Sequence, residues 1–162
     1  MKIGIIYAGK TGTTEYCAGI LSKALDASLI NLEADNGNLN DYDIIIIGSS
    51  IRMGMVHPKI KRFLKKYKNL IQEKNFAIFV CQGLPETFTK VMSQNFTESI
   101  RNDALVMKTF GGVLILEKQK GLAKLMTKAL MKNPNFIAPT IDHQEIAEFV
   151  RLIKKFIDKG DE

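Results

Sequence analysis

Gly9-Lys10-Thr11-Gly12-Thr13-Thr14-Glu15 gathers two glycines, three hydroxyls and a lysine into seven residues. The segment lies between an apolar run, Ile3 to Tyr7, and an amphipathic stretch that carries Ala18, Leu21, Ala24 and Leu25 on one side. A strand-to-helix loop of this kind offers a phosphate unpaired backbone N–H groups, the positive end of a helix dipole and hydroxyl donors. The same residues can also serve simply as a helix cap, although three threonines around two glycines exceed what a cap requires. Gly4 through Thr11 matches G-x-x-x-x-G-K-[ST] letter for letter, and geometry rejects it. That motif needs a strand before its first glycine, and only three residues precede Gly4. No Asp closes a second apolar strand either, since Asp43 comes before its strand. The expectation is phosphate binding without nucleotide hydrolysis.

Two further loops carry candidate chemistry. In Gly48-Ser49-Ser50-Ile51-Arg52-Met53-Gly54-Met55-Val56-His57, Arg52 can grip a carboxylate bidentately or stabilise an anion. Its plainer alternative is a surface ion pair. His57 titrates near neutral pH and suits a proton relay, or else caps and packs the helix that Pro58 opens. In Cys81-Gln82-Gly83-Leu84-Pro85, the Gln82 side chain and the Gly83 backbone can hydrogen-bond a polar ring edge. Cys81 at a strand end and Cys17 on a helix read as buried, inert thiols. No metal site is expected.

The elements that must position these loops alternate. Ile3–Tyr7, Ser28–Leu32, Ile44–Ile47, Phe76–Cys81 and a segment within Val106–Leu116 read as strands. Ile44 to Ile47 is apolar on both faces, as a central parallel strand should be. Helices are expected after the first loop, from Pro58 through Ile71, over residues 86–101, and after Asp142. That last aspartate can act as N-cap, with Glu145 completing a capping box. A polar loop spans Asp35 to Asp43, with Asn36-Gly37 as its turn. Such alternation implies right-handed βαβ crossovers and a parallel sheet covered on both sides. Ligands of such sheets bind at the carboxyl ends of the strands, where the three loops converge.

The net charge of +6 over 162 residues is concentrated. Residues 57–74 carry a local +6 and residues 116–134 a local +4, leaving the rest at −4. The basic residues lack interleaved aromatics and any nucleic-acid motif, which argues against nucleic-acid binding. Within 116–135, Leu122, Leu125, Met126, Ala129 and Leu130 form one arc of a helix, and Lys120, Lys124, Lys128 and Lys132 another. Such a helix either meets an anionic membrane or an acidic partner, or packs its apolar arc on the body. No run approaches the roughly 18 apolar residues of a membrane span. There is no signal-peptide pattern, and two cysteines are too few for a disulfide scaffold. The expected location is cytoplasmic, at the inner membrane face if the basic helix docks there.

Tyr7 to Glu15 resembles the FMN-phosphate loop of flavodoxins, T/S-x-T-G-x-T, with Thr11, Gly12 and Thr14 in matching positions. Gly9 replaces the first hydroxyl residue, and Lys10 brings a charge nearby. The resemblance implies a flavodoxin-like, doubly wound α/β domain over 1–162. Its five-stranded parallel sheet would have the order 2-1-3-4-5, with the basic helical insertion near strand 5. The stretch G-x-S-I-R-x-G-x-x-H from Gly48 to His57 is most similar to flavodoxin-type, quinone-dependent protoporphyrinogen oxidases. FMN would then be held by Gly9, Lys10, Thr11, Gly12, Thr13 and Thr14, by Ser49, Ser50, Ile51, Arg52, Met53 and Gly54, and by Gln82, Gly83 and Leu84. Arg52 and His57 are the catalytic candidates, and porphyrinogen propionates would suit Arg52. Met53 stands where flavodoxins usually stack an aromatic ring. The implied activity is an oxidoreductase passing electrons from a reduced small molecule to a quinone. The alternative is an electron carrier that serves a protein redox partner, although carriers ordinarily present acidic faces. A third reading, suggested by Gly9 and the missing aromatics, is a flavodoxin fold that has lost FMN. A response-regulator receiver would need carboxylates in residues 6–14, and a low-molecular-weight tyrosine phosphatase a C-x5-R loop; neither is present.

Overall fold

Ile44, Ile45, Ile46 and Ile47 are all fully buried and divide between two cores. Ile45 and Ile47 join Ile60, Phe63, Ile71, Ile78 and Val91 on one face of the sheet. Ile44 and Ile46 join Leu21, Phe79, Phe110, Phe149 and Ile153 on the other. A strand apolar on both faces is thus covered by helices on both, as a parallel sheet requires. The computed structural model describes residues 1–35 and 38–160. The expected Asn36-Gly37 turn lies outside the described residues.

The chain runs β1 (Ile3–Ala8), α1 (Thr13–Leu25), β2 (Ser28–Asn31), β3 (Ile44–Arg52), β4 (Met55–Val56), α2 (Pro58–Lys66) and α3 (Lys68–Gln72). It continues through β5 (Asn75–Cys81), α4 (Phe88–Asn95), α5 (Glu98–Asp103), β6 (Met107–Thr109), α6 (Gly121–Met131) and α7 (His143–Gly160). The sheet order is β2-β1-β3-β5-β6, with all neighbours on that path parallel. The short β4 folds back antiparallel on β3. With β4 set aside, the order is the expected 2-1-3-4-5 of a flavodoxin-like sheet.

Four local expectations are revised. The helix from Pro58 breaks at Tyr67, which ends α2 and precedes α3. The helix over 86–101 divides where buried Phe96 turns extended and the Thr97 hydroxyl accepts the Ile100 N–H to start α5. The fifth parallel strand shrinks to three residues. Gly111 turns the chain at φ +66°, where a β-carbon would stand 2.3 Å from the Thr140 carbonyl oxygen, and it bridges to Ile141. The capping box on α7 is only half formed. Asp142 Oδ1 accepts the Gln144 and Glu145 N–H groups, each at 3.0 Å, while Glu145 pairs with Lys108 at 2.7 Å instead of returning. Leu39, inside the segment read as a polar loop, is buried in the core beneath α2 and β3.

Candidate functional site

Strand register brings the three loops together. Ala8 pairs with Ser49, and Ser50 pairs with Cys81, so the carboxyl ends of β1, β3 and β5 lie side by side. One cleft opens above them with about 1050 Å3 of atom-free space, open to solvent. Its lining includes Lys10, Thr11, Thr13 and Thr14 from the first loop, Ser50 to Gly54 from the second, and Cys81 to Leu84 from the third.

The first loop enters α1 through Gly12, whose φ of 89° places it in the left-handed region open to glycine. No side chain caps this helix end, so the threonines are not occupied as caps. Glu15 instead accepts a hydrogen bond from the Tyr7 hydroxyl at 3.3 Å. The first-turn N–H groups and the positive dipole end therefore stand beside Lys10 uncapped by any side chain among the described residues, with the one first-turn carboxylate, Glu15, engaged by Tyr7. Gly9 has a steric reason of its own. A β-carbon there would lie 2.7 Å from Thr14 Oγ1, so Gly9 lets the Thr14 side chain fold over the loop.

The second loop is a hairpin, not an open loop. β3 continues through Arg52, and Met53 and Gly54 make a two-residue turn at φ 51° and 76°. Two positive φ values at this point match the tight turns whose twist suits a hairpin. Asn95, which sequence reasoning missed, clamps the turn from α4. Its amide donates to the Gly54 carbonyl at 2.7 Å, and its oxygen accepts the Val56 N–H at 3.0 Å. The hairpin holds Arg52 half-buried at the cleft and leaves Met53 at the rim, 58% exposed.

Buried polar groups then converge. Thr14 Oγ1, Ser50 Oγ, Arg52 Nη2 and Gln82 Oε1 are buried, lack hydrogen-bond partners, and belong to residues that line this cleft. Each such atom costs about 1–3 kcal/mol if it stays unsatisfied. Four around one cleft mark a surface shaped for a polar ligand. No carboxylate pairs with Arg52 among the described residues. Gln82 is held by its amide, which donates to the Leu84 carbonyl and to Thr87 Oγ1, leaving its buried oxygen without a partner among the described residues. Cys81 and Cys17 are buried neighbours in thiol contact, and Cys81 is at the cleft floor.

Ser49 and His57 stand apart from that lining. The Ser49 hydroxyl accepts the His57 N–H at 2.9 Å and donates to the Ser50 carbonyl at 3.0 Å, bracing the base of the hairpin. His57 is buried, and its Nδ1 accepts the Lys59 N–H at 3.3 Å as the cap of α2. Its Nε2 lies 3.1 Å from Glu33 Oε1, off the line of a good hydrogen bond, and Lys59 Nζ lies 3.1 Å from Glu33 Oε2. Burial lowers the His57 pKa. Glu33 opposes that shift, and Lys10, Lys59 and Arg52 reinforce it. The folded state thus binds this proton less readily than the unfolded chain, so the stability is full above about pH 6.5 and is lost as pH falls below that toward the lowered folded-state value. Thermal melts between pH 8 and 5 should show that decline, and His57→Asn, which can still cap, should flatten it. An unchanged slope in the variant would assign the decline to other groups.

Sequence reasoning also missed the far wall. Gly112 packs its backbone on Gln82, where a β-carbon would meet carbonyl and amide atoms at 3.0–3.3 Å, and Leu114 lies over Gly83. Gln119, Ala123, Met126, Thr127 and Leu130 complete the wall from the inserted segment. Lys118 ties that segment to the first loop, donating to the Thr11 carbonyl at 3.0 Å. Gly112 is the sequence signal for this close approach, because a residue with a β-carbon would collide with the Gln82 backbone.

A family model described as a flavodoxin domain matches residues 4–135. Protoporphyrinogen IX dehydrogenase [quinone] of Escherichia coli K12 is 24% identical over 179 aligned residues, covering 98% of each chain. Among solved structures, a Fusobacterium nucleatum flavodoxin bound to flavin mononucleotide covers 95% of this chain and 97% of its own, at 15% identity and a TM-score of 0.57. Rubredoxin oxygen:oxidoreductase of Desulfovibrio gigas matches 93% of the chain at 18% identity and a TM-score of 0.56. The chain spans only 36% of that protein's length. The parallel sheet, the loops at its carboxyl edge and the family match together show that the chain belongs to the flavodoxin domain family.

Proposed function

We propose that the cleft binds FMN and that the protein is an oxidoreductase carrying electrons from a reduced small molecule to a quinone. The observation that carries this reading is the set of four unpartnered buried polar atoms around one cleft, beside an uncapped helix N-terminus. The donor set fits the group. Lys10 to Thr14 and the first turn of α1 would hold the phosphate. Ser50, Gln82 and the Gly83 backbone would meet the polar ring edge, and Met53, Leu84 and Leu114 would flank its apolar parts. FMN, when bound, supplies the redox chemistry, and the protein supplies orientation and electrostatics.

The chain's own contributions follow from its geometry. Arg52 presents a cation with no carboxylate partner among the described residues, suited to a substrate carboxylate or to a negative charge developing at the ring. The hairpin and the Asn95 clamp hold it there. The wall from residues 112–130 screens one side of the cleft from water. A porphyrinogen, with its propionates, matches the chemistry of Arg52. The E. coli relative is named for dehydrogenating protoporphyrinogen with a quinone, which supports this substrate class over a carrier role.

Titrating the purified chain with FMN should give saturable quenching of flavin fluorescence at one flavin per chain. Absence of quenching would overturn the reading. If flavin binds, incubation with a porphyrinogen and a menaquinone analogue should produce fluorescent porphyrin. Flavin binding without porphyrin formation would favour the electron carrier.

A further inference from the structure

The outward side of α6 is unusual for the surface of a chain this size. Of its eleven residues only Thr127 is buried, and its hydroxyl bonds to Gln119 on the cleft side. At 3.6 residues per turn, Leu122, Leu125 and Ala129 project from the side of the helix roughly opposite Thr127. Leu122 is 60% exposed and Leu125 65%, with Met126 and Met131 close to half exposed. Ile137, six residues beyond the helix, is 88% exposed. The arc read from the sequence therefore divides: Leu122, Leu125 and Ala129 face solvent, while Met126 and Leu130 line the cleft.

On the same helical spacing Lys128 and Lys132 border Leu125 and Ala129, while Lys120 and Lys124 lie nearer the side of Thr127. All four are exposed, and no ion pair engages them among the described residues. Uncompensated lysines bordering outward leucines match an interfacial helix, whose apolar side enters the headgroup boundary while its cations meet anionic lipid. An acidic protein surface would satisfy the lysines but would need an apolar groove of its own to cover the leucines, whereas an anionic bilayer supplies both in one surface. We infer that α6 is a docking surface for an anionic lipid bilayer.

Placement adds a consequence, which rests on the flavin reading above. The inner side of the same helix, through Ala123, Thr127 and Leu130, walls the cleft. The exposed rim residues Met53, Leu84 and Val113 line that cleft too. A bilayer under α6 would lie beside the cleft mouth, so a lipid-soluble acceptor would reach it without crossing bulk water.

Flotation tests the docking directly. The purified chain, with and without added FMN, is mixed with vesicles of phosphatidylglycerol and phosphatidylcholine or of phosphatidylcholine alone. It should float with the anionic vesicles at low salt, less at high salt, and remain at the bottom with the neutral ones. The double variant Leu122→Ser/Leu125→Ser should bind at least about tenfold more weakly, the loss of apolar insertion, while its thermal midpoint stays unchanged because both side chains are exposed. Lys128→Gln/Lys132→Gln should lose mainly the salt-sensitive part. Failure of the wild-type chain to float, or equal flotation of the serine variant, would overturn the inference. A dimer in light scattering that the serine variant abolishes, without flotation, would do the same by assigning the face to a second copy. Flavin quenching in the same samples keeps the outcomes apart: quenching without flotation defeats only the docking surface, and flotation without quenching defeats only the flavin reading.

Discussion

Gly9→Ser is expected to weaken FMN binding by about 10- to 100-fold, although serine or threonine is the residue flavodoxin loops ordinarily carry there. The reason is local crowding. A β-carbon at position 9 would stand 2.7 Å from Thr14 Oγ1 and 2.8 Å from Thr14 Cβ. Both distances are far inside van der Waals contact, and Thr14 is buried in the first turn of α1, so relief requires that turn to shift. Overpacking of this kind costs about 1–3 kcal/mol, and here the strain falls on the N–H groups that would hold the phosphate. Every 1.4 kcal/mol lost from binding is tenfold in Kd. Quenching titrations would measure the change. Gly9→Ser/Thr14→Gly removes the collision and should recover part of the affinity. Equal or tighter binding by the single variant would show that Gly9 is a lost contact and not an adaptation to Thr14.

The position of Gly9 shows how far the sequence could be read. Its departure from the flavodoxin pattern was visible, but the cause was a contact with Thr14 that only packing discloses. The parallel sheet was legible because Ile44 to Ile47 and Phe76 to Cys81 are apolar on both faces, which few other environments tolerate. The hairpin was not, because Ser49, Ser50 and Arg52 lack strand-like alternation. Its turn also uses Met53 at φ 51°, a conformation for which the sequence signal is Asn or Asp before Gly. Asn95 was equally hidden: an amide on a short helix declares nothing until the backbone groups of residues 54 and 56 are seen to need it. The amphipathic character of α6 was plain in the sequence, but not which arc faced the body. The orientation follows from Thr127, a polar residue at the buried position, and no hydrophobic periodicity would choose it.

For Arg52→Ala, the expected outcome is a split between turnover and cofactor retention. Arg52 projects from the end of β3, its Nη2 is buried without a hydrogen-bond partner, and no carboxylate neutralises it among the described residues. It also helps keep His57 neutral, so its charge is felt across the base of the hairpin. A cation held in that state should contribute most when an anionic group arrives. Charge-assisted hydrogen bonds are worth about 1.5–3 kcal/mol, so kcat/KM for a porphyrinogen should fall about 10- to 150-fold. FMN affinity should change little, since the phosphate is assigned to residues 10–14. Arg52→Lys should fall between, restoring charge without the planar fork that matches a carboxylate. An ester of the substrate, lacking carboxylates, should be turned over equally by the wild type and Arg52→Ala. If the ester discriminates as strongly as the acid, the guanidinium acts on the ring and not on the propionates. If FMN affinity collapses while the flavin-loaded variant turns over normally, Arg52 belongs to cofactor binding and the substrate assignment fails.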